Sequence, residues 1–248
     1  MYNPFTLEGK TILITGASSG IGQATAIECS KMGAKVIITG RNPDRLNETY
    51  NLLSGDRHIQ IIADLCIKED VNKIIDEVEK IDGIVNNAGI SKTLPFQFIH
   101  SDDLMAVFNV NFFAPIYITQ QLVKKKKFSK NASIVFVSSI DGPISSHIGN
   151  SMYSASKGAI TAMAKNMAVD LAPKKIRVNC VLPGMTETPL IYGDDITTEQ
   201  LDQDRKLYPM KRYGQPVEIA RAIIYFLSDA SSWSTGTNLV VDGGFTLL

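Results

Sequence analysis

The segment TILITGASSGIG, residues 11–22, joins a short apolar run to a glycine-rich turn and then to the start of an amphipathic segment. Glycines at a strand-to-helix turn let backbone N–H groups approach a pyrophosphate, and the positive end of the helix then faces the phosphates. The spacing is Gly-x-x-x-Gly-x-Gly, which differs from the usual Gly-x-Gly-x-x-Gly fingerprint. It predicts a dinucleotide-binding turn, with a plain glycine-rich turn as the alternative. The predicted binding residues are Gly16, Ser18, Ser19, Gly20, Ile21 and Gly22.

Short apolar runs alternate with longer amphipathic segments along nearly the whole chain. The runs predicted to be strands are Thr11–Thr15, Lys35–Thr39, Ile59–Ile62, Gly83–Asn86, Ser133–Ser138, Arg177–Leu182 and Asn238–Val241. The predicted helices are Ile21–Met32, Pro43–Leu53, Lys68–Lys80, Asp102–Lys127, Met152–Leu171 and Pro216–Leu227. Most runs are apolar throughout, so helices should cover both faces of the sheet. The pattern predicts an α/β protein with a Rossmann fold, a doubly wound seven-stranded parallel sheet.

The chain is predicted to form a single domain, residues 1–248, because no internal repeat or low-complexity linker interrupts the alternation. The longest stretch without a clear strand is Gly184–Gly214. A segment of that length more often forms a lid or binding element than an inert loop. We therefore expect residues 184–214 to be a substrate lid within the domain.

Composition narrows the functional classes. The 248 residues carry 25 basic and 25 acidic side chains, so no long-range field would gather nucleic acid or an anionic membrane. No stretch approaches the roughly 20 apolar residues of a membrane span. The three cysteines, Cys29, Cys66 and Cys180, have no metal-ligand spacing. These observations predict a soluble cytoplasmic protein that binds no metal, nucleic acid or membrane.

The end of the second strand bears on the choice of dinucleotide. A carboxylate there would bind a ribose 2′-hydroxyl and repel a 2′-phosphate. Here Gly40 is followed by Arg41, whose planar and permanently charged guanidinium suits a phosphate. NADP(H) is therefore predicted to be preferred, with NAD(H) as the alternative cofactor. An arginine that merely ends a strand at the surface is the other interpretation.

Tyr153 and Lys157 are four residues apart on a predicted helix, so their side chains should share one face. A phenol with its ordinary pKa near 10 holds its proton too tightly to act as a base at neutral pH. An ammonium about 5 Å away contributes roughly 3 kcal/mol, or about two pKa units. We therefore expect Lys157 to lower the pKa of Tyr153 and to prepare it for proton transfer. Such pairs are also common by chance, so the context must support this interpretation.

Three polar residues nearby are further candidates. Ser139 follows the fifth strand, at the edge where open α/β sheets bind ligands, and is predicted to hydrogen-bond a substrate oxygen. Ser138 should point to the other side and satisfy backbone groups. Asn111 lies in an apolar helical setting, where its amide either bonds to backbone or holds a water that relays protons towards Lys157.

These residues, in this order, resemble those of the classical short-chain dehydrogenase/reductases. The matching positions are Thr15-Gly16-x-x-x-Gly20-x-Gly22, Asp64, Asn86-Asn-Ala-Gly89, Asn111, Ser139, Tyr153-x-x-x-Lys157 and Pro183-Gly184. The resemblance covers nearly the whole chain. Arg212–Pro216 and Val241–Gly244 are similar to segments of 3-oxoacyl-[acyl-carrier-protein] reductases and their relatives.

The resemblance implies a catalytic set of Asn111, Ser139, Tyr153 and Lys157 and hydride transfer to or from a nicotinamide. It also implies that residues 184–214 close over the substrate and that the subunits form a homotetramer. The cofactor-binding residues that it adds, beside Tyr153 and Lys157, are Asp64, Leu65, Asn87, Ala88, Gly89, Pro183, Gly184, Thr186 and Thr188.

Two departures from the acyl-carrier reductases bear on the substrate. Thirteen residues separate Ser139 from Tyr153 where those reductases usually have twelve, so the loop Gly142–Ser151 is altered beside the substrate. Thr186 stands where an apolar residue is frequent. His147 lies in the altered loop, where a solvent-facing position is the simpler interpretation and substrate contact the alternative.

Three functions are compatible with these residues. The leading hypothesis is an NADP-dependent enzyme that reduces a ketone, best a 3-oxoacyl thioester, to a secondary alcohol with Tyr153 as general acid. The second is a dehydrogenase of a sugar, polyol, steroid or other small alcohol. The third is a non-catalytic NADP-binding sensor or scaffold, against which the intact Ser139, Tyr153 and Lys157 speak.

Two lysine runs, Lys124–Lys127 and Lys174–Lys175, lie near helix ends. The simplest interpretation of the first run is a solvated helix end near the negative pole of the helix dipole. The alternative is a docking patch for an acidic acyl-carrier protein.

Overall fold

A computed structural model describes residues 2–192 and 197–248. Over those residues, seven parallel strands form one sheet in the order β3-β2-β1-β4-β5-β6-β7. The strands are β1 (Thr11–Thr15), β2 (Lys35–Gly40), β3 (Ile59–Ile62), β4 (Ile81–Asn86), β5 (Phe128–Val137), β6 (Arg177–Pro183) and β7 (Asn238–Val241). The strand order reverses between β1 and β4, and ligands bind beside such a point. The predicted doubly wound fold is confirmed.

Helices cover both faces of the sheet. They are α1 (Gly20–Lys31), α2 (Pro43–Asn51), α3 (Lys68–Glu77), α4 (Ser101–Phe108), α5 (Ala114–Lys124), α6 (Ser151–Leu171), α7 (Thr198–Arg205) and α8 (Pro216–Leu227). One apolar cluster joins α1, α2 and α8 to the first face, and a second joins α3, α5 and α6 to the other. Burial on both faces explains why the strands are apolar throughout.

The segment predicted as one helix over Asp102–Lys127 is interrupted. A wide helical turn at Asn109–Phe113 separates α4 from α5. Pro115 lies in the first turn of α5 and has no N–H to continue the ladder of hydrogen bonds. The ladder therefore widens at the turn that contains Asn111. This turn places the Asn111 side chain against α6 and the loop after β4.

Residues 184–214 contain more structure than expected. A short turn spans Pro189–Ile191, and α7 begins after a capping box between Thr197 and Gln200. Leu201, Tyr208 and Tyr213 form a small apolar cluster separate from the two main clusters. The described part of the segment thus has a small apolar cluster of its own, and its role as a lid stays a prediction.

Within the described ranges, no helix is both long enough and apolar enough to cross a membrane.

Candidate active site

The turn between β1 and α1 packs main chain against main chain. Gly16 has a φ of +65°, and a Cβ there would lie 2.8 Å from the Cα atom of Ala88. A Cβ at Gly22 would lie 2.2 Å from the carbonyl oxygen of Gly16. The Asn87 side chain braces the same turn by donating to the carbonyl oxygens of Thr15 and Gly16, both at 3.1 Å. Only glycine fits at positions 16 and 22.

The first N–H groups of α1 are available to a ligand. Its N-cap residue, Ser19, makes no side-chain cap bond, and the first turn holds no acidic residue. These N–H groups point to the carboxyl edge of the sheet at the start of a helix, which favours an anion. The turn therefore has the shape and the charge that a pyrophosphate requires.

Arg41 and Asp64 lie at the neighbouring strand ends. The Arg41 side chain is 66% exposed, and its Nη1 atom lies 3.9 Å from Oδ2 of Asp64. Asp64 also accepts a hydrogen bond from the amide of Cys66 at 2.9 Å. Leu65 packs at the edge of the main core. A ligand phosphate can reach the guanidinium, but that group has a carboxylate beside it, which the sequence pattern does not reveal.

The segment after β6 faces the glycine turn. Thr188 is buried, and its Cβ and Cγ2 atoms lie 3.1 Å from the position of a Cβ on Gly20. The hydroxyl of Thr186 donates to the carbonyl of Gly184 at 3.0 Å. A Cβ on Gly184 would lie 2.9 Å from the Cβ of Asp242. The start of the segment 184–214 is thus held between the glycine turn and the carboxyl-terminal segment.

The structure brings Tyr153 and Lys157 together on one face of α6. The Nζ atom of Lys157 lies 5.5 Å from the centroid of the Tyr153 ring. This ammonium is buried and donates to the carbonyl oxygen of Val137, at the end of β5, at 2.8 Å. Gly89 is also close, since a Cβ there would lie 3.6 Å from Nζ.

Burial controls the charges of this pair. Burial raises the pKa of Tyr153 to about 12, while a hydrogen bond with Ser139 acts in the opposite direction. Burial lowers the pKa of Lys157 to about 8. The expected lowering of the tyrosine pKa is therefore wrong for the chain by itself, because burial of the phenol outweighs the hydrogen bond with Ser139, while the ammonium bonds to Val137. Tyr153 holds its proton at neutral pH, which makes it an acid before it is a base.

The two serines after β5 have different surroundings. Ser138 donates to the carbonyl oxygen of Lys157 at 3.0 Å and lies 2.8 Å from the Thr161 hydroxyl. Ser139 accepts a hydrogen bond from the amide of Asp141 at 3.1 Å. Since Ser139 accepts in that bond, its proton is free to be donated, either to Tyr153, with which it also forms a hydrogen bond, or to a ligand oxygen.

Asn111 makes hydrogen bonds through both atoms of its amide. Its Oδ1 atom accepts from the amide of Ile90 at 2.9 Å, and Nδ2 donates to the Ile90 carbonyl at 2.9 Å and to the Ser156 hydroxyl at 3.0 Å. Of the two interpretations, bonding to backbone is the one observed. Asn111 fastens the loop after β4 to α6 beside Lys157.

Sequence reasoning missed a polar cluster next to Ser139. Buried Asp141 binds Ser145, His147 and Asn150 through its carboxylate. His147 is 44% exposed, so its solvent-facing interpretation is only partly right. No local pattern distinguishes this aspartate from a surface loop residue, because all its partners lie in irregular chain. Its position two residues after Ser139 is the one available signal.

The lysine runs lie at the other edge of the sheet. α5 ends at Lys124, and Lys124, Lys125 and Lys126 are exposed, as expected of a solvated helix end. A cavity of about 420 Å³ lies beside them at the amino end of β5. It is lined by Val123, Lys124, Lys126, Phe128, Ser129, Lys130, Lys174 and Ile176.

The cleft brings together a phenol that keeps its proton, a serine hydroxyl and a buried ammonium, beside a turn shaped for a pyrophosphate. This set can hydrogen-bond a carbonyl oxygen and deliver a proton to it. It holds no strong nucleophile.

Comparison with known proteins gives consistent results. A family model described as enoyl-(acyl carrier protein) reductase matches residues 16–246. The 3-oxoacyl-[acyl-carrier-protein] reductase FabG of Thermotoga maritima is 38% identical, over 97% of this chain and 99% of that protein. A short-chain type dehydrogenase/reductase from Mycobacterium marinum superposes with a TM-score of 0.88 at 30% identity, covering 99% of this chain and 98% of that one. A 3-ketoacyl-(acyl-carrier-protein) reductase from Brucella melitensis, complexed with NADH, gives a TM-score of 0.85 at 30% identity, covering 97% and 100%.

Proposed function

Since the chain belongs to the short-chain dehydrogenase/reductase family, we propose that it reduces a ketone to a secondary alcohol with NADPH as the hydride donor. The proposed substrate class is the 3-oxoacyl thioesters. The observation that carries this function is the position of Tyr153, whose phenol lies beside Ser139 and whose ring centroid lies 5.5 Å from Nζ of Lys157. The identity of 38% to a 3-oxoacyl-[acyl-carrier-protein] reductase supports the choice of substrate.

The residues present fit a dinucleotide. The close packing at Gly16 and Gly22 leaves main-chain N–H groups at the cleft, where a side chain would exclude a pyrophosphate. Arg41 would bind the 2′-phosphate of NADP(H), and Asp64 and Leu65 would lie by the adenine. The remaining contacts would come from residues 87–89 and from Pro183, Gly184, Thr186 and Thr188. When bound, the nicotinamide supplies the hydride.

The protein groups then have separate roles. Ser139 donates a hydrogen bond to the carbonyl oxygen of the substrate, and Tyr153 donates the proton that this oxygen takes up as the alcohol forms. Lys157 stabilises the phenolate left behind, because its ammonium lies on the same face of α6. Asn111 holds the loop after β4 in place, which keeps Gly89 beside Lys157.

Oxidation of NADPH, followed by its absorbance, tests the reaction and the substrate class together. Acetoacetyl-coenzyme A should be reduced faster than any member of a panel of ketoses, steroid ketones and small ketones. Activity on the panel without thioester activity would move the assignment to a sugar, polyol, steroid or other small-alcohol dehydrogenase. Tight NADPH binding without turnover of any carbonyl would point to a sensor or scaffold.

The preference for NADP(H) rests on Arg41. Replacing it with glutamine should raise the KM for NADPH by about 10-fold and leave the KM for NADH nearly unchanged, because one charged contact to phosphate is lost. Arg57→Gln, at an exposed site on a different segment, is the control. Equal efficiency with both cofactors, unaffected by Arg41→Gln, would contradict the preference. The Asp64 carboxylate beside Arg41 makes NAD(H) an accepted second cofactor.

An acyl-carrier protein is the proposed carrier of the thioester. Four lysines, Lys124, Lys126, Lys130 and Lys174, line the cavity at the amino end of β5 and form no ion pair among the described residues. The two ends of β5 are roughly 30 Å apart. A carrier docked there would therefore serve the active site of a neighbouring subunit in the homotetramer that we propose.

Charge reversal tests this docking site. The double variant Lys124→Glu and Lys174→Glu should raise the KM for a carrier-linked 3-oxoacyl substrate several-fold and leave acetoacetyl-coenzyme A kinetics unchanged. Lys73→Glu, exposed on α3, is the control. An unchanged KM for the carrier-linked substrate would exclude the cavity as the docking site.

A further inference from the structure

Asp141 is the centre of a closed set of hydrogen bonds. Its side chain is buried, and its Oδ1 atom accepts from the Ser145 hydroxyl at 3.0 Å and lies 2.7 Å from Nδ1 of His147. Its Oδ2 atom accepts from the Asn150 side chain at 2.6 Å. One carboxylate thus fixes three points of the loop 142–150.

The same aspartate connects the two elements that carry the catalytic groups. Its main-chain N–H donates to the Ser139 hydroxyl at 3.1 Å. Asn150 is the N-cap residue of α6, and Tyr153 is the third residue of that helix. The position of Ser139 relative to Tyr153 therefore depends on the bonds that Asp141 makes on both sides.

His147 extends this connection to the lid. Its ring stacks on Phe245, with centroids 5.9 Å apart and an interplanar angle of 23°. Phe245 stacks on Tyr208 at 4.7 Å, and the Tyr208 hydroxyl accepts from the amide of Met185 at 3.2 Å. A continuous path of contacts therefore runs from Ser139 through His147 to the lid.

Two carboxylates lie near His147. Asp141 lies six residues before it in the chain, and Asp204 lies near the end of α7. The carboxyl-terminal segment contributes the uncharged ring of Phe245. The hydrogen bond to Asp141 raises the pKa of His147 above its ordinary value. Burial alone would raise the pKa of Asp141, but the bonds from His147 and Asn150 lower it overall. At a pH between the pKa of Asp141 and the pKa of His147, the two side chains form an ion pair.

We propose that Asp141 and His147 are positioning residues that lock the loop 142–150 and the lid to the catalytic serine, most firmly while His147 is protonated. The proposal rests on the proposed function, since the locked loop and lid are taken to hold the ketone. When the Asp141–His147 pair holds the loop and the lid more tightly, the KM for the ketone falls. It leaves kcat nearly unchanged, because neither side chain contacts the reacting atoms.

Steady-state kinetics from pH 6 to pH 9 test the lock. In the wild-type enzyme, the KM for the ketone should rise about 3- to 10-fold as His147 loses its proton. The titration of Lys157 near pH 8 affects the wild type and His147→Asn alike. His147→Asn keeps a donor for Asp141 but cannot titrate at this position, so its KM should change with pH clearly less than that of the wild type, while its kcat follows the wild-type pH profile. His100→Asn is the matched control, because His100 is exposed on the segment before α4. A wild-type pH dependence of KM that persists in His147→Asn would overturn the proposal.

A second readout does not depend on turnover. The chain has three histidines, so the ring signals can be followed by NMR and assigned with His147→Asn and His100→Asn. The pKa of His147 should lie above the ordinary value of a histidine in the wild type, and Asp141→Asn should lower it. An unchanged titration point in folded Asp141→Asn would overturn the lock even in an enzyme with full activity. A wild-type chain that reduces no ketone but shows this titration would instead count against the proposed function alone.

Discussion

The glycine turn and the segment 184–214, which we propose as a lid, are each held in place in a different way. At the glycine turn, the main chain of Gly16 lies against that of Ala88, and the next residue, Ala17, belongs to one of the two main apolar clusters. In the lid, Glu187 pairs with Arg205 at 3.0 Å, and Tyr213 bonds to Asp204 at 2.7 Å. The lid is thus held by side chains around a small separate core.

This difference has a physical consequence. Main-chain contacts across a packed turn allow almost no substitution, whereas ion pairs and aromatic stacks can be exchanged at modest cost. The first region suits a ligand of constant shape, and the second suits a ligand whose shape varies. Changes in the first region should therefore abolish binding or chemistry, and changes in the second should alter substrate affinity.

The largest effect is expected at Tyr153 on α6, which lies beside the glycine turn in the proposed active site. Tyr153→Phe removes the proton donor and should lower kcat for ketone reduction about 10³-fold, with a far smaller effect on NADPH affinity, to which the hydroxyl contributes one contact. Stopped-flow absorbance for the rate and NADPH fluorescence for binding measure the two quantities. Tyr50→Phe, which removes only a bond to the carbonyl of His58, is the control. A Tyr153→Phe enzyme within about 10-fold of the wild-type rate would refute the assigned role.

At the turn itself, Gly16→Ala should weaken NADPH binding about 100-fold, because the new Cβ must displace the Ala88 backbone by a substantial fraction of an ångström. Gly9→Ala is a matched control. Gly9 also has a positive φ, +77°, but nothing lies within 4 Å of a Cβ there. Both variants should lose about 1 kcal/mol of stability from backbone strain. Equal NADPH affinity in the two variants would contradict the role of close packing.

The next effect is on stability, because the buried charge of Lys157 lowers the free energy of unfolding. Its pKa is lowered to about 8 from 10.5, so the charged form destabilises the fold below pH 8, and this penalty fades as the pH rises towards 10.5. Lys157→Met should therefore raise the free energy of unfolding at pH 7 by about 1–3 kcal/mol, with activity lost. Denaturant unfolding at pH 7 and pH 10 measures the difference. A variant less stable than wild type at pH 7 would show that the ammonium is well solvated by its surroundings.

The smallest effect is expected in the lid. Arg205→Gln removes the pairs to Glu187 and Asp202 and should raise the KM for the ketone about 3- to 10-fold, with NADPH affinity and Tm unchanged. Lys125→Gln, which removes an exposed pair to Asp76 at the other edge of the sheet, serves as the control. A loss of NADPH binding in Arg205→Gln would mean that the lid and the glycine turn are not independent. The contrast drawn between the two regions would then be wrong.

Much of the fold could be predicted from sequence because both faces of the sheet are buried. Continuous apolar runs located all seven strands, although β5 begins at Phe128 rather than Ser133. α7 was missed because its sequence, TEQLDQDR, has a single apolar residue and no periodicity. The interruption near Asn111 depends on Pro115, which lies within a segment whose apolar spacing otherwise predicts one long helix.

The residues of the candidate site also fall into two groups, those that local sequence spacing predicts and those that depend on tertiary contacts. Positions that depend on local spacing, such as Gly16 or the Tyr153 and Lys157 pair, could be chosen from the chain alone. The cluster around Asp141 could not, because its contacts arise from the path of an irregular loop. The direction of the Tyr153 pKa was also beyond the sequence, since it depends on how deeply α6 is covered.

The central claim is that Tyr153 carries the proton and holds it at neutral pH. The pH dependence of kcat in both directions, with cofactor and substrate saturating, tests it most directly. We expect kcat for alcohol oxidation to rise with pH between 6 and 9, because the phenol must first lose its proton, while kcat for ketone reduction does not rise. An oxidation kcat that stays constant over this range would contradict the claim.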